Sequence, residues 1–171
     1  MENLVKKAKE RDAEAFTLLM QSYMQHMYKT ARAILKSDED AADAISDTIL
    51  VCWEKLPDLS HDRYFKTWMT RILVNKCKDF IAKKKQLVLT DEMPEGASYE
   101  TGYENLEWQE AMKSLDEKYR LVVMLYYGEG FRTSEVASIL DISESTVRTR
   151  LARAREKLAE GYYSEVRRRI I

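Results

Sequence analysis

The sequence has few of the residues that interrupt helices. Only five of its 171 residues are glycine and two are proline, and no glycine precedes Gly96. Ala, Leu, Glu, Lys and Arg, which favour helices, are abundant. Because Gly and Pro mark tight turns and break regular elements, their scarcity argues against a β-rich fold. Composition therefore predicts an all-α protein.

Cysteine and long apolar runs are also scarce. Cys52 and Cys77 are far apart in apolar helical contexts, which favours two small buried side chains over a metal-binding pair. The charged N-terminus lacks the apolar core of a signal peptide. The longest apolar runs, Thr48–Trp53 and Leu121–Tyr127, are too short to cross a bilayer. We therefore expect a cytoplasmic protein with no direct membrane insertion.

The sequence also lacks the patterns that accompany catalysis. It contains no glycine-rich phosphate loop and no nucleophile–base set, and neither His26 nor His61 has a companion at metal-ligand spacing. We expect no enzyme activity, no cofactor and no metal. The net charge of −1 argues against a protein that coats nucleic acid unaided, but it allows local basic faces balanced by acidic ones.

Residues 133–155 have the pattern of a helix-turn-helix. The hydroxyls of Thr133 and Ser143 can each cap the first turn of a helix. Asp141, Ile142 and Ser143 then form a turn of the length that separates two such helices. The alternative is an ordinary helical hairpin with a solvated Arg-rich surface.

The second helix of this pattern separates an apolar side from a polar side. At roughly 100° per residue, one narrow sector contains Val147, Leu151, Ala154 and Leu158, which predicts a buried stripe. Arg, Thr and Ser can bind base edges or phosphates, and Ala allows close approach of the helix or contact with a thymine methyl. The candidate DNA-contacting residues on the opposite side are Ser145, Arg148, Thr149, Ala152 and Arg153.

A second candidate surface lies on the helix predicted for residues 64–85. Trp68, Arg71, Asn75 and Lys78 share one side of that helix. Aromatic rings among cations and amides suit single-stranded DNA, because bases stack on rings while cations hold phosphates. The spacing fits equally well with a solvated basic face on a core helix.

Two acidic features complete the pattern. Asp43 and Asp47 lie one turn apart on a helix predicted for residues 41–56. Because no third ligand is nearby, an exposed face is favoured over a metal site, and it could dock a basic partner.

Residues 86–104 contain acidic residues without Lys or Arg, and they include Pro94 and Gly96. We interpret them as a flexible acidic linker between two small helical domains at residues 1–85 and 105–171.

The motifs together resemble those of bacterial RNA polymerase sigma factors of the extracytoplasmic-function group. The first domain resembles the region-two helical bundle of that family, and the second resembles its region-four helix-turn-helix. The motifs of the first domain are Asp40-Ala41, Asp43, Ile45, Asp47-Thr48, Trp53, Phe65-Lys66-Thr67-Trp68, Arg71-Ile72, Asn75 and Asp79. Those of the second are Tyr119-Arg120, Tyr127-Gly128-Glu129-Gly130, Ser134-Glu135-Val136-Ala137 and the run from Thr146 to Arg155.

The resemblance implies an alternative sigma factor that binds core RNA polymerase and directs it to promoter DNA. Region two would read and melt the −10 element, and region four would place its second helix in the −35 major groove. The implied −10 contacts are Arg71, Asn75, Lys78 and Trp68, with Leu59 and His61 in a loop that holds a flipped base. The implied −35 contacts are Arg148, Thr149, Ala152, Arg153 and Ser145. The implied polymerase-docking residues are Asp43 and Asp47.

The resemblance also implies a partner and leaves alternatives open. Members of this group are commonly held by an anti-sigma factor. Ala152 departs from the family, since relatives often carry a larger side chain there, and Asp116-Glu117 stands where Pro is frequent. One alternative is a stand-alone helix-turn-helix regulator whose first domain senses a ligand or dimerises. Another is a helical adaptor that sequesters a sigma factor and has no DNA role.

Overall fold

The computed structural model describes residues 1–35, 37–88 and 111–170. The chain divides into two compact units, Met1–Ser98 and Tyr99–Ile171. Within the described ranges the regular elements are helices and no strand occurs, which confirms the all-α prediction. Most of the predicted linker lies outside the described residues. So does Asn105, where the second helical domain was predicted to begin.

Among its described residues, the first unit contains four α-helices and two short 3₁₀ turns. Helices α2, α3 and α4 pack against one another, and α1 packs on α2 and on both 3₁₀ turns. The element bounds are α1 Glu2–Lys9, α2 Ala13–Ile34, α3 Asp38–Lys55, the turns Leu56–Asp58 and Asp62–Tyr64, and α4 Phe65–Val88. Helix α4 thus continues beyond Lys85, where the sequence predicted its end.

The sequence has helical spacing from Leu4 to Leu35, with one apolar stripe from Ala15 to Leu35, but this stretch forms two helices, α1 and α2. Arg11 has a left-handed φ of 68°, which interrupts the helical backbone. Asp12 then caps α2, because its carboxylate accepts a hydrogen bond from the Ala15 N–H at 3.0 Å. The run Ser37-Asp38-Glu39-Asp40 has the pattern of a helix cap, and the Ser37 hydroxyl accepts a hydrogen bond from the Asp40 N–H at 3.3 Å. Helix α3 begins at Asp38, before the predicted Ala41.

The core of the first unit forms where α2, α3 and α4 meet. Its fully buried side chains include Leu19, Met27, Leu56, Phe65, Met69 and Leu73. Burying each large apolar side chain contributes about 1.5–3 kcal/mol relative to leaving it exposed. Helical spacing predicts that Ala42 shares the apolar side of α3 with Ile45 and Ile49, but Ala42 is exposed. The packing fixes which faces of α3 and α4 remain available to partners.

The second unit contains the helix-turn-helix. Its described residues include the helices α5 Glu117–Val123, α6 Thr133–Leu140 and α7 Glu144–Ile170, and a π-helical turn, Met124–Gly128, follows α5. The predicted three-residue turn between α6 and α7 is confirmed. The core side chains of this unit include Val122, Leu125, Val136, Ile139, Val147 and Ala154.

Two predicted caps in this unit are wrong in their detail. Thr133 is the first residue of α6, and its hydroxyl donates to Glu144 at 2.7 Å instead of capping its own helix. The Glu135 carboxylate caps α6 by accepting from the Arg132 N–H at 2.9 Å. The position of Asp116 before the next helical stretch predicts a second cap, and Asp116 does precede α5, but its carboxylate pairs with Lys157 at 3.1 Å. For both Thr133 and Asp116, a contact with a side chain of α7 takes the place of the predicted capping hydrogen bond.

Candidate nucleic-acid and polymerase interfaces

The N-terminus of α7 is set by the turn that precedes it. Asp141 adopts a left-handed φ of 56°, a conformation that Asp tolerates better than most residues. The Ser143 hydroxyl accepts a hydrogen bond from the Thr146 N–H at 3.1 Å, which confirms the predicted cap. The first turn of α7 is therefore ordered without help from a ligand.

The predicted two faces of α7 are both present. Val147, Leu151 and Ala154 are buried against the rest of the unit, while Leu158 is half-buried. The candidate DNA face on the other side is accessible: Ser145, Arg148, Thr149 and Arg153 are exposed and Ala152 is half-buried. A helix packed on one side and polar on the other can enter a major groove.

Glu144 holds the guanidinium of Arg148 at the start of this face. Arg148 Nη2 lies 2.6 Å from Glu144 Oε1, and the Arg148 side chain remains 69% exposed. The hydrogen bond from Thr133 and then that from Arg148 lower the pKa of the Glu144 carboxyl below its ordinary value. Sequence reasoning missed Glu144, although its i,i+4 spacing to Arg148 was a usable signal.

A basic hollow lies beside α7. Its lining combines the start of α5 with the candidate DNA face: Lys118, Tyr119, Ser145, Thr146, Thr149, Arg150 and Arg153. A hydrogen bond with Arg153 is the main reason that the pKa of Tyr119 is lowered. The ammonium groups of Lys118 and Lys157 lie 5.0 and 5.2 Å from the Tyr119 ring centre. Cations and hydroxyls that converge in this way can hold a phosphate.

The stripe predicted on α4 is accessible in the first unit. Arg71, Asn75 and Lys78 are exposed. Trp68 is half-buried, and its ring centre lies 6.0 Å from that of Phe65 in the core. The ring is thus anchored on its inner side, and the three polar side chains follow it along the same face of the helix.

In the loop before α4, the two residues that were predicted to act together, Leu59 and His61, differ in exposure. Leu59 is only 8% exposed and anchors the loop, whereas His61 is exposed. The His61 ring centre lies 6.0 Å from that of the exposed Tyr64, and the Arg63 guanidinium lies 4.6 Å from the Tyr64 ring centre. Tyr64 was not predicted as a site residue, because no periodic pattern covers this short turn.

The acidic side of α3 contains an exposed apolar residue. Asp43 is exposed, and Asp47 lies 3.7 Å from Lys76 with its side chain 45% exposed. Leu50 follows on the same face and is 62% exposed. Sequence reasoning missed Leu50. Carboxylates around an exposed leucine suit a protein partner, since apolar anchors supply affinity and charges supply specificity.

The described residues contain no group of three or more His, Cys, Asp and Glu side chains able to hold a metal ion. Cys52 and Cys77 are buried free thiols, as predicted, and burial raises the pKa of each to about 12. In the part of the chain that the structure describes, no helix combines the length and hydropathy needed to cross a membrane.

Comparison with known proteins assigns a family to both units. Residues 19–86 match the family model for sigma-70 region 2, and residues 105–158 match that for sigma-70 region 4. RNA polymerase sigma factor SigV of Bacillus subtilis is 28% identical over 151 residues, covering 86% of this chain and 91% of the relative. ECF RNA polymerase sigma factor SigM of Mycobacterium tuberculosis is 30% identical over 154 residues, covering 86% of this chain and 77% of the relative.

Solved structures agree with this assignment. CnrH, in complex with the cytosolic domain of CnrY, aligns with a TM-score of 0.70 at 25% identity, covering 95% of this chain and 97% of that chain. The sigma factor RpoE of Bartonella quintana, in complex with the anti-sigma factor NepR, has a TM-score of 0.71 at 21% identity. That alignment covers 86% of this chain and 96% of the other, and it supports the fold.

A two-part helical sigma architecture is therefore the class that the fold and the comparisons define. The chain belongs to the sigma-70 family, within its extracytoplasmic-function group. It acts as an alternative sigma factor that directs transcription initiation, as the family does with core RNA polymerase at promoter DNA.

Proposed function

We propose a division of work between the units of this sigma factor. Residues 1–85 bind core polymerase and read the −10 element as single strand, and residues 105–171 read the −35 element through α7. Residues 86–104 link these two domains. The observation that carries this proposal is the exposed Arg71, Asn75 and Lys78 stripe, because a unit with only a sensing or dimerising role has no need of it.

The −10 assignment is supported by the chemistry of the stripe and its neighbouring loop. Arg71 and Lys78 supply cations for phosphates, Asn75 supplies an amide for a base edge, and Trp68 supplies a partly accessible ring. His61 is exposed in the loop, next to Tyr64. Unstacking a base costs a few kcal/mol, so rings and cations that hold the base stabilise the open strand.

The −35 assignment is supported by the exposed polar side of α7. Arg148 can bind guanine through its paired N–H groups, and Thr149 and Ser145 can donate to base edges or phosphates. Arg153 borders the basic hollow, which suits a backbone phosphate. Ala152 is half-buried and small, which permits close approach to the groove without a long base contact at that position.

The polymerase-docking assignment is supported by the acidic side of α3. Asp43 and Asp47 present carboxylates to a basic partner surface, and Leu50 offers an apolar anchor between them and Glu54. The same chemistry would suit a regulator that competes for this surface. Since CnrH is bound to the cytosolic domain of CnrY, we propose that an anti-sigma protein also holds this chain, in the cytoplasm.

Run-off transcription with core RNA polymerase tests the whole proposal. Adding the purified chain to core enzyme and a library of bacterial promoters should yield transcripts from a defined subset only. Replacing Arg71 and Lys78 together by Ala should lower strand opening at −10, measured by permanganate reactivity of thymines. The matched control is Lys83→Ala, which removes an exposed lysine of α4 outside the stripe.

Three results would count against the proposal. Transcription that does not change when the chain is added would exclude the sigma role for the promoters in the library. Tight duplex binding by a dimer in the absence of polymerase would instead favour the stand-alone regulator. Equal losses in the double variant and in Lys83→Ala would show that the stripe has no particular role in strand opening.

A further inference from the structure

Helix α1 lies outside the region-2 match, which begins at residue 19, yet it is firmly packed in the first unit. Val5 and Ala8 are 1% and 2% exposed. Just beyond the helix, Arg11 donates to the Trp53 carbonyl at 2.6 Å, and its guanidinium lies 5.3 Å from the Trp53 ring centre. These contacts fix the end of α1 against the end of α3.

The last residue of α1 binds the loop that precedes α4. Lys9 Nζ donates to the Leu59 carbonyl at 2.7 Å and to Asp62 Oδ1 at 3.0 Å. The Lys9 and Asp62 side chains are 25% and 16% exposed, so the ion pair is largely shielded from water. The Lys9 ammonium therefore binds both ends of a four-residue arc, residues 59–62. Ser60 and His61 remain exposed between these ends.

This arrangement limits how far the arc can move. The Leu59 side chain is buried, its N–H donates to the Leu56 carbonyl at 3.1 Å, and its own carbonyl is bound by Lys9. Hydrogen bonds that involve a charged group are stronger than neutral ones, and partial burial strengthens them further. A binding loop held in one conformation before its ligand arrives loses less entropy when it binds.

We propose that Lys9 is a positioning residue for promoter opening. Through Leu59 and Asp62, it holds the loop in the conformation in which His61 and its neighbours accept an unstacked base of the non-template strand. Helix α1 is thus a working part of the −10 site and adds to the region matched by the family. This inference rests on the −10 role proposed above for the first unit.

A promoter library randomised across the −10 segment tests this role. Transcripts made by core enzyme with wild type, Lys9→Met, Lys9→Arg and Lys7→Met would be sequenced to give base preferences at each position. Lys7 is exposed on the same helix, so Lys7→Met removes the same charge without touching the loop. Lys9→Met removes both hydrogen bonds to the loop and should reduce selectivity at the base held by the loop at least about tenfold, since the loss of even one charge-assisted hydrogen bond is expected to have an effect of that size.

The controls separate positioning from general damage. Lys7→Met should keep the wild-type preferences, and Lys9→Arg should largely restore them because a guanidinium can also donate to both acceptors. Amide hydrogen exchange without polymerase should become faster in residues 59–64 of Lys9→Met, while the buried part of α4 stays protected. Thermal unfolding of each variant identifies any global loss of structure.

The outcomes distinguish failure of the −10 role from failure of the positioning role. If wild type selects no promoter, the −10 role fails, and the inference fails with it. If wild type is selective and Lys9→Met keeps every base preference, the −10 role stands and the positioning role is overturned. Equal loss in Lys7→Met would also overturn it, because charge alone would then account for the effect.

Discussion

At the residue scale, Arg148 is exposed but already oriented before it meets DNA. Glu144 holds its guanidinium at 2.6 Å, and Thr133 holds Glu144 in turn at 2.7 Å. The chain of contacts links the two helices of the motif to the side chain that we propose reads a base. Orienting a long side chain in advance lowers the entropy lost on binding.

Replacing Arg148 by Ala should weaken −35 recognition and relax its base preference. One bidentate contact contributes about 1–3 kcal/mol of discrimination, so selectivity at one position should fall by about 5- to 150-fold. Competition binding to duplexes that vary at each −35 position measures this. Arg155→Ala, an exposed arginine two turns along α7, should leave base preference unchanged; identical losses in both variants would argue against a specific contact.

The Glu144 carboxylate should contribute to stability in a pH-dependent way. Its pKa is lowered in the folded protein, so the contribution is present at neutral pH and disappears as the pH falls through the acidic range below the ordinary glutamate value of about 4.3. Wild type should therefore have a higher Tm than Glu144→Gln at pH 7, and the difference in Tm should shrink as the pH falls below the lowered pKa of Glu144. Glu156→Gln, at an exposed position of the same helix, should have the wild-type Tm at neutral and at low pH. A difference in Tm between wild type and Glu144→Gln that persists at low pH would contradict this view.

At the element scale, α7 starts sharply because its cap and the preceding turn act together. The left-handed Asp141 reverses the chain, and the Ile142 N–H donates to the Ala137 carbonyl at 3.1 Å. Ser143 then satisfies the Thr146 N–H. The direction of the proposed recognition helix thus depends on three consecutive residues rather than on the length of α7.

Ser143→Ala should destabilise the second unit by about 1 kcal/mol, because the Thr146 N–H loses its acceptor. For a unit of this size the Tm should fall by about 4–8 °C. Ser138→Ala, at an exposed position of α6, should change stability by less than about 0.5 kcal/mol. Calorimetry of both variants would show whether the cap matters, and equal stability would refute its role.

The elements also explain which sequence predictions succeeded. The register of α6 and α7, the turn at residues 141–143 and the buried stripe from Val147 to Ala154 follow local periodicity and capping, so the sequence was sufficient for them. The break at Arg11 was missed because the apolar residues of α1 and α2 fall in one continuous pattern. Asp116 and Thr133 were misassigned because partners on α7 compete for their side chains.

At the scale of the whole molecule, each unit has its own proposed task. The carboxylates and Leu50 lie on α3 in the first unit, whereas Arg148 and Thr149 lie on α7 in the second. Binding to polymerase and binding to −35 duplex should therefore respond to different substitutions. Such independence is expected for contacts that share no partners.

Asp47→Arg should weaken binding to core polymerase at least about tenfold, equivalent to roughly 1.4 kcal/mol, because it places like charges together at the interface. Loss of the exposed pair with Lys76 should affect folding little. Binding of the full chain to −35 duplex should stay within about twofold of wild type, because Asp47 and the proposed −35 contacts belong to different compact units. The control is Glu14→Arg, a charge swap at an exposed position of α2. A loss of duplex affinity in Asp47→Arg would contradict the assignment of separate tasks to the two units.

The sequence by itself determined the helical class, the helix-turn-helix and the exposed polar sides of α4 and α7, because these depend on residues a few positions apart. Only the tertiary structure decided that Lys9 holds a loop fifty residues away, that Tyr119 joins Arg153, and that Leu59 turns inward while His61 turns outward. Those contacts depend on how the helices pack, and packing brings together residues that no local spacing relates.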